Sequence, residues 1–274
     1  MKFTINRADL LRSLNHVHSV VERRNTIPIL ANVMLRVEKD SLSLTTTDMD
    51  LEIVESVAAK ASATGATTVP AHTLYDIVRK LEDDAMVEIS STAGDTTLLV
   101  KSGKSAFRLG CLPTEDFPKM GSSEKFSYSF ALSADDLRTL IDRTRFAISN
   151  EETRYYLNGI YLHAAESGGV PVLRAVATDG HRLARFEMPL PDGAKDMLGV
   201  IIPRKAVNEI RKLIDEAGDT IEISLSENKM KFSFDHISLT TKLIDGTFPD
   251  YDRVIPKNNE KMLEVDPAIF ALAV

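Results

Sequence analysis

Asp48, Asp50 and Glu52 stand at i, i+2 and i+4. On an extended strand that spacing puts three carboxylates on one face, where they can hold Mg²⁺ for phosphoryl transfer. The plain alternative is a solvated strand face. Asp179 and His181 offer acid–base chemistry, but no nucleophile accompanies them at a fixed spacing, and Asp179 can simply cap a turn at Gly180. Gly103-Lys104-Ser105 ends like a phosphate loop. Leu98 stands where that loop needs its first glycine, however, and a strand pattern follows instead of a helix. His16 and His18 are two residues apart, point to different faces of a helix and make a poor metal pair. A metal-dependent phosphoryl-transfer enzyme using Asp48, Asp50 and Glu52 is thus one functional reading, and the rest of the chain has to be weighed against it.

The elements that must position these residues occur twice. Asp48 and Asp179 both follow a Thr at the end of an alternating run, and they lie 131 residues apart. Pro70 and Pro203, each opening a helical pattern, are 133 apart; Pro118 and Pro249, each after a Phe, are 131 apart. Lys2-Phe3-Thr4-Ile5 precedes a helix start at Ala8-Asp9-Leu10, and Lys125-Phe126-Ser127-Tyr128 precedes one at Ala134-Asp135-Asp136-Leu137. Matches in one order at nearly one offset indicate a duplicated domain. The positions matching Asp48, Asp50 and Glu52 are Asp179, His181 and Leu183, so the carboxylate set is not duplicated, which weighs against a metal site. A third start follows. Glu260 to Val265 reads as an opening strand, Asp266-Pro267 as a helix cap with Pro at the first helical position, and Ile269, Phe270 and Leu272 as an apolar face. The expected division is residues 1–122, residues 123–254, and 255–274 as the start of a third unit, with the sequence stopping inside its helix.

The 274 residues suit two domains of ordinary size. A hydrophobic content of 43% and a charged content of 27% are those of a globular chain. No apolar run approaches the roughly 20 residues of a membrane helix, and the N-terminus does not read as a signal peptide. The single cysteine, Cys111, excludes an internal disulfide framework and fits a reducing cytoplasm. A net charge of −7 argues against a generic nucleic-acid coat, but leaves room for a basic face on an acidic body.

Helical spacing runs from Arg7 to Val21 with Leu10, Leu11, Leu14, Val17 and Val21 inward and Arg12, His16 and Arg23 outward. Residues 71–81 form a second helix with His72 outward. A third has a capping-box-like start, Ser133-x-x-Asp136, and a fourth covers 203–214 with Arg204, Lys205, Arg211 and Lys212 on its outer face. Strands alternate between the helices, residues 61–66 read as a loop, and Ser105 to Leu109 reads as an edge strand offering Phe107 and Leu109. Each unit is therefore α+β. Cationic helix faces gathered on one side would make a surface for sequence-independent phosphate contact, and Tyr155-Tyr156 could stack on a nucleic-acid strand; the plain alternative is a packed tyrosine pair.

In combination, Thr26-x-Pro28-Ile29-Leu30, Thr68-Val69-Pro70-Ala71, Arg154-Tyr155-Tyr156-Leu157-Asn158-Gly159, Ala177-Thr178-Asp179-Gly180-His181-Arg182-Leu183 and Phe248-Pro249-Asp250-Tyr251 closely resemble the bacterial DNA polymerase III beta subunit, the sliding clamp. The resemblance covers the whole chain. It implies repeated clamp domains, each two helices packed on antiparallel sheets, and a homodimeric ring in the full-length protein. It also implies a non-catalytic processivity factor without cofactors that encircles duplex DNA. The implied partners are the polymerase III alpha subunit, the clamp loader and other proteins with a clamp-binding motif. Arg24, His72, Glu151, Tyr155 and Tyr156 match DNA-contact positions, with His72 and Glu151 departing in type. Leu157, Thr178, Gly180, His181, Arg182, Leu183, Pro249, Arg253 and Val254 match the pocket for a short hydrophobic partner motif.

Overall fold

The computed structural model describes residues 1–23, 26–91, 94, 96–120, 125–216 and 218–273. β1 (Lys2–Asn6) runs straight into α1 (Arg7–Val17), because the Asn6 side chain accepts the Ala8 N–H at 2.8 Å and caps the helix. Then come β2 (Asn32–Glu38), β3 (Ser41–Thr47), β4 (Leu51–Ala58), β5 (Lys60–Ala63), β6 (Gly65–Pro70), α2 (Ala71–Arg79), β7 (Met86–Ser90), β8 (Thr97–Ser102) and β9 (Ser105–Gly110). The order recurs in β10 (Tyr128–Ser133), α3 (Ala134–Thr144), β11 (Gly159–Ser167), β12 (Val170–Thr178), β13 (Leu183–Pro189), β14 (Val200–Pro203), α4 (Arg204–Ile214), β15 (Thr220–Leu225), β16 (Lys229–Phe234) and β17 (Ile237–Lys242). Ser133 caps α3 by accepting the Asp136 N–H at 3.0 Å, as its sequence pattern predicts. α5 (Pro267–Ala273) ends the described chain.

The strands form three antiparallel sheets, in the orders β5-β1-β7-β8-β9, β10-β15-β16-β17-β4-β3-β2-β6 and β13-β12-β11-β14. The second sheet joins the halves. β17 pairs with β4 from Ile237 opposite Glu55 to Thr241 opposite Leu51, so the ladder crosses the boundary without a break. Leu10, Leu14 and Val17 of α1, Leu74 and Val78 of α2, Leu137, Leu140 and Ile141 of α3, and Val207, Ile210 and Ile214 of α4 are all buried, at 3% exposure or less. These apolar stripes hold the helices on the sheets.

Polar contacts link the helices side by side in the order α2, α1, α4, α3. Arg7 of α1 donates to the Val78 and Arg79 carbonyls of α2. Ser19, just past α1, donates to Glu209 of α4 at 2.6 Å, and Arg211 of α4 donates to Asp142 of α3 at 3.0 Å. The four-helix row is thus held by side chains from both halves.

Several sequence expectations need correction. α1 stops at Val17 and a 3₁₀ turn carries the chain to Val20. Residues 61–66 are not a loop: β5 and β6 occupy most of them, with β5 recruited by the open edge of β1 despite having no apolar stripe to announce it. Glu260 to Val265 forms no strand, because nothing pairs with it, and residues 256–273 are exposed throughout. β9 is an edge strand as expected, pairing only with β8, but Leu109 turns inward at 8% exposure while Phe107 stays out at 36%.

His16 is the clearest departure, since it is buried at 7% exposure instead of facing water. Its Nδ1 lies 2.8 Å from Glu55 Oε2 on β4, and its Nε2 lies 2.9 Å from Glu216 Oε2 just past α4, at ion-pair distance. Glu55 is fully buried, and its other oxygen is 3.8 Å from His236 in the β16–β17 turn. Burial is the largest influence and pulls the His16 pKa down, but hydrogen bonds to Glu55 and Glu216 outweigh it and raise the pKa above 6.5. The imidazolium is therefore stabilising. Its contribution is complete below 6.5 and is lost as pH rises through the raised value. Thermal melts are expected to show stability falling as pH rises above 6.5, and His16→Gln to remove that slope. An imidazole NMR titration placing His16 at or below 6.5 would contradict this account.

Candidate functional site

The duplicated Thr-Asp pair turns out to be a duplicated turn. In the first half, Thr47 Oγ1 accepts the Met49 N–H at 3.0 Å, and Asp48 Oδ1 accepts those of Asp50 and Leu51 at 2.9 and 2.7 Å. In the second, Thr178 Oγ1 accepts the Gly180 N–H at 3.1 Å, and Asp179 Oδ1 accepts those of His181 and Arg182, both at 3.0 Å. Met49 and Gly180 share the left-handed backbone at φ 76° and 87°. The backbone amides of Arg182 and His181 hold the Asp179 carboxyl down at about 2, so it is no proton donor at neutral pH. Acid–base catalysis by Asp179 and His181 does not survive this geometry.

Nor do Asp48, Asp50 and Glu52 share a strand face, because the turn separates them and β4 begins only at Leu51. Asp48 Oδ2 binds Lys205 of α4 at 2.5 Å, Asp50 binds Lys242 at 3.0 Å, and Glu52 accepts the Met120 N–H at 3.4 Å. Among the described residues no group of three or more His, Cys, Asp or Glu could hold a metal ion. Gly103-Lys104-Ser105 is the tight turn of the β8–β9 hairpin.

The second turn opens onto a cleft of about 770 Å³. Leu157, Thr178, Gly180, His181, Arg182, Leu183, Pro249 and Val254 line it, which brings together eight of the nine expected pocket residues from three separate segments. Arg253 is the exception. It is exposed and pairs with Asp250 at 2.6 Å, outside the lining. The floor is an apolar cluster of Leu157, Val176, Ile201, Phe248 and Tyr251, with Tyr156, Leu183 and Ile255 packed against it. Arg154 braces the rim. It donates to Glu151 at 2.8 and 2.7 Å and to the Asp179 carbonyl at 3.0 Å. Arg154 and Tyr251 also form its wall, and although both sit inside the quoted motifs, no local pattern marks them as wall residues.

The residues matched to DNA contact scatter more widely. Tyr155 is 53% exposed and meets Tyr156 edge-on at 5.8 Å. Tyr156 turns into the cleft instead, so the pair is shared between two surfaces. The Glu151 carboxylate is taken up by Arg154, which lowers its pKa. His72 is half-buried, not outward, with Nε2 bonded to the Val21 carbonyl at 2.8 Å. Arg24 lies outside the described residues. The outer cations of α4 are also mostly engaged: Lys205 with Asp48 and Glu22, Arg211 with Asp142 and Asp215, and Lys212 with Glu209. Arg204 and, on α3, Arg143 are exposed. The helix row is therefore less positive than the sequence alone suggests.

Residues 1–121 match the family described as DNA polymerase III beta subunit, N-terminal domain, and residues 131–250 match its central domain. A beta sliding clamp of Caulobacter vibrioides is 54% identical over all 274 residues, which span 73% of that protein. The chain belongs to the beta sliding clamp family. The Escherichia coli K12 clamp is 40% identical over 265 residues, covering 96% of this chain and 70% of that one. Among solved structures, Caulobacter crescentus pol III beta superposes with a TM-score of 0.94 at 53% identity, over 100% of this chain and 74% of that one. A Bartonella birtlesii sliding clamp bound to griselimycin gives a TM-score of 0.91 at 50% identity, over 95% and 69%. The family is a non-catalytic subunit of a DNA polymerase, so a DNA sliding clamp is the function, and the phosphoryl-transfer reading is set aside. No helix among the described residues is long and apolar enough to cross a membrane.

Gly180 lets the turn at the cleft rim close. Its φ of 87° disfavours any side chain, and an added Cβ would fall 2.6 Å from Arg154 Nη1. Gly180→Ala is expected to lower stability by about 1–3 kcal/mol and to displace Arg154 from Asp179. A denaturant titration checks the first; an unchanged midpoint would show that the turn tolerates the strain.

Proposed function

We propose that the cleft is the docking site for a linear hydrophobic peptide motif carried by polymerases and the clamp loader, and that the helix row faces duplex DNA. One observation carries the first part: eight residues matched to the family pocket converge on a single apolar cleft with a polar rim. A Leu and a Phe side chain buried there would each contribute on the order of 1.5–3 kcal/mol before ordering costs. The proposed residues are Leu157, Thr178, Gly180, His181, Arg182, Leu183, Pro249 and Val254, with Arg154 and Tyr251 as wall. A Pseudomonas aeruginosa clamp also occurs bound to griselimycin, and the same surface of this chain is proposed to accept such a ligand. Ring closure is assigned to the open edge of β9, the protein to the cytoplasm, and residues 255–274 to the start of a third clamp unit.

Leu183→Ala removes apolar area and opens a void in the cleft wall. Calorimetry with a clamp-binding peptide is expected to show affinity reduced by roughly tenfold, about 1.4 kcal/mol. Equal binding by parent and variant would place the pocket elsewhere.

DNA contact is assigned to Arg24, Tyr155 and the exposed cations of the helix row, with Glu151 and His72 contributing least, since both are engaged within the protein. A phosphate has to compete with carboxylates already paired to Lys205, Arg211 and Lys212. Binding is therefore expected to be weak, sequence-independent and steeply weakened by salt. Fluorescence anisotropy with duplexes of unrelated sequence tests this. A marked preference for one sequence, or indifference to salt, would count against it.

A further inference from the structure

Behind the cleft lies a partly buried polar row that the peptide contacts do not require. His163, Arg174 and Glu187 stand directly opposite one another on β11, β12 and β13. Arg174 is 8% exposed. Its Nε donates to Glu187 at 2.8 Å, its Nη2 to the Glu166 carbonyl at 3.3 Å, and its Nη1 to the Tyr251 hydroxyl at 3.0 Å. His163 Nε2 lies 2.9 Å from the same hydroxyl, and His163 Nδ1 lies 2.9 Å from the Ala164 carbonyl.

These contacts settle where the protons sit. A carbonyl only accepts, so His163 Nδ1 carries the hydrogen and Nε2 is the acceptor in the neutral ring. The Tyr251 O–H then donates to Nε2, and its oxygen accepts from Arg174. Every group in the chain Arg174, Tyr251, His163, Ala164 is satisfied in one direction only. Tyr251 sits in the non-strand segment that supplies Pro249, Val254 and Ile255 to the cleft. That segment meets the sheet through two rings, Phe248 stacked on Tyr161 at 4.9 Å and Tyr251 on the polar row.

We propose that His163 and Arg174 are positioning residues that latch one wall of the cleft through the Tyr251 hydroxyl, and that a second proton on His163 releases the latch and weakens partner binding. The functional half of this rests on the cleft being the peptide site. Protonated Nε2 can no longer accept, so the buried Tyr251 proton loses its partner, and an imidazolium stands beside the Arg174 guanidinium. The charged or titratable groups around the ring are Arg174, Glu187 with its partner Arg185, Asp252, Tyr161 and Tyr251. Burial first, and after it Arg174, keep the His163 pKa below 6.5, with the hydrogen bond to the Ala164 carbonyl and the carboxylates of Asp252 and Glu187 only partly offsetting them. The neutral ring is thus favoured in the fold. The latch is intact above 6.5 and is lost as pH falls through the lowered value.

Tyr251→Phe keeps the ring and removes the hydroxyl. By calorimetry with a clamp-binding peptide at neutral pH, it is expected to bind roughly three- to tenfold more weakly than the parent, because the wall segment loses both hydroxyl bonds, the one to His163 and the one from Arg174. The parent should lose affinity as pH falls below 6.5, and the variant should lack that component of the profile. His181, which lines the cleft in both proteins, cancels in the difference. Nitrogen NMR of the parent should show His163 protonated at Nδ1 and bare at Nε2. Amide exchange at Arg253 and Val254 should quicken in Tyr251→Phe. If the parent binds no peptide, the cleft reading fails, and the exchange and tautomer data still decide the latch. A proton on Nε2 at neutral pH, or identical exchange and pH profiles in parent and variant, overturns it.

Discussion

One carboxylate accepting two consecutive backbone N–H groups is the interaction on which both halves depend. At Asp48 and again at Asp179 it closes a turn between antiparallel strands, forces the residue after it into the left-handed region, and leaves one oxygen free to bind elsewhere. At Asp179 the two amides lower the carboxyl pKa to about 2, and in both turns the second oxygen anchors a cation. In the first half it receives Lys205 from α4 and ties the halves together. In the second it receives Arg182 at 3.0 Å and shapes the cleft rim. Losing either carboxylate would leave two amides without their acceptor, and would also free Lys205 in one case and Arg182 in the other.

The joint explains why, among the described residues, most of the α4 cations are paired with carboxylates instead of standing free in solvent. Two β-sheet halves that share a ladder must also align their helices, and the alignment uses charges that sequence reading assigns to solvent. Lys205 is caged by Asp48, Glu22 and the Val20 carbonyl, and Lys242 by Asp50, all across the boundary. Ion pairs of this partly exposed kind are individually weak. They add register to a ladder that backbone bonds already secure, and they lower the field available to DNA.

The apolar helix stripes and the Ser133 cap are legible because each is written within a few residues of chain, and the repeat because short motifs recur at nearly one offset. The convergence of Leu157, Leu183 and Pro249 was reached only through resemblance to a family, since no local pattern joins positions so far apart. His16, His72 and Lys205 were misplaced for one physical reason. Helical spacing shows that a residue lies off the main apolar stripe, but not whether another element covers it. Glu55 and Glu216 cover His16, the Val21 carbonyl engages His72, and the other half of the chain reaches Lys205. β5 escaped notice for the converse reason: its hydrogen bonds to β1 need no side-chain pattern.

Comparing the two turns position by position shows how duplication yielded one joint and one cleft. Met49 corresponds to Gly180, Asp50 to His181, Leu51 to Arg182 and Glu52 to Leu183. Leu51 is buried at 2% and Glu52 accepts a backbone N–H from Met120, so in the first half the turn is packed down and sealed by the segment after Phe117. Phe117 itself is buried against Ile29 and Leu30. In the second half, Arg182 stays at the surface and Leu183 is only partly covered, while the segment after Phe248 is held away from the turn by Tyr251 on its polar row. An apolar side chain at 183 and a wall anchored one strand further off leave a gap where the first half has a hydrogen bond. The cleft thus follows from a few exchanged residues on a turn whose backbone the two halves hold in common.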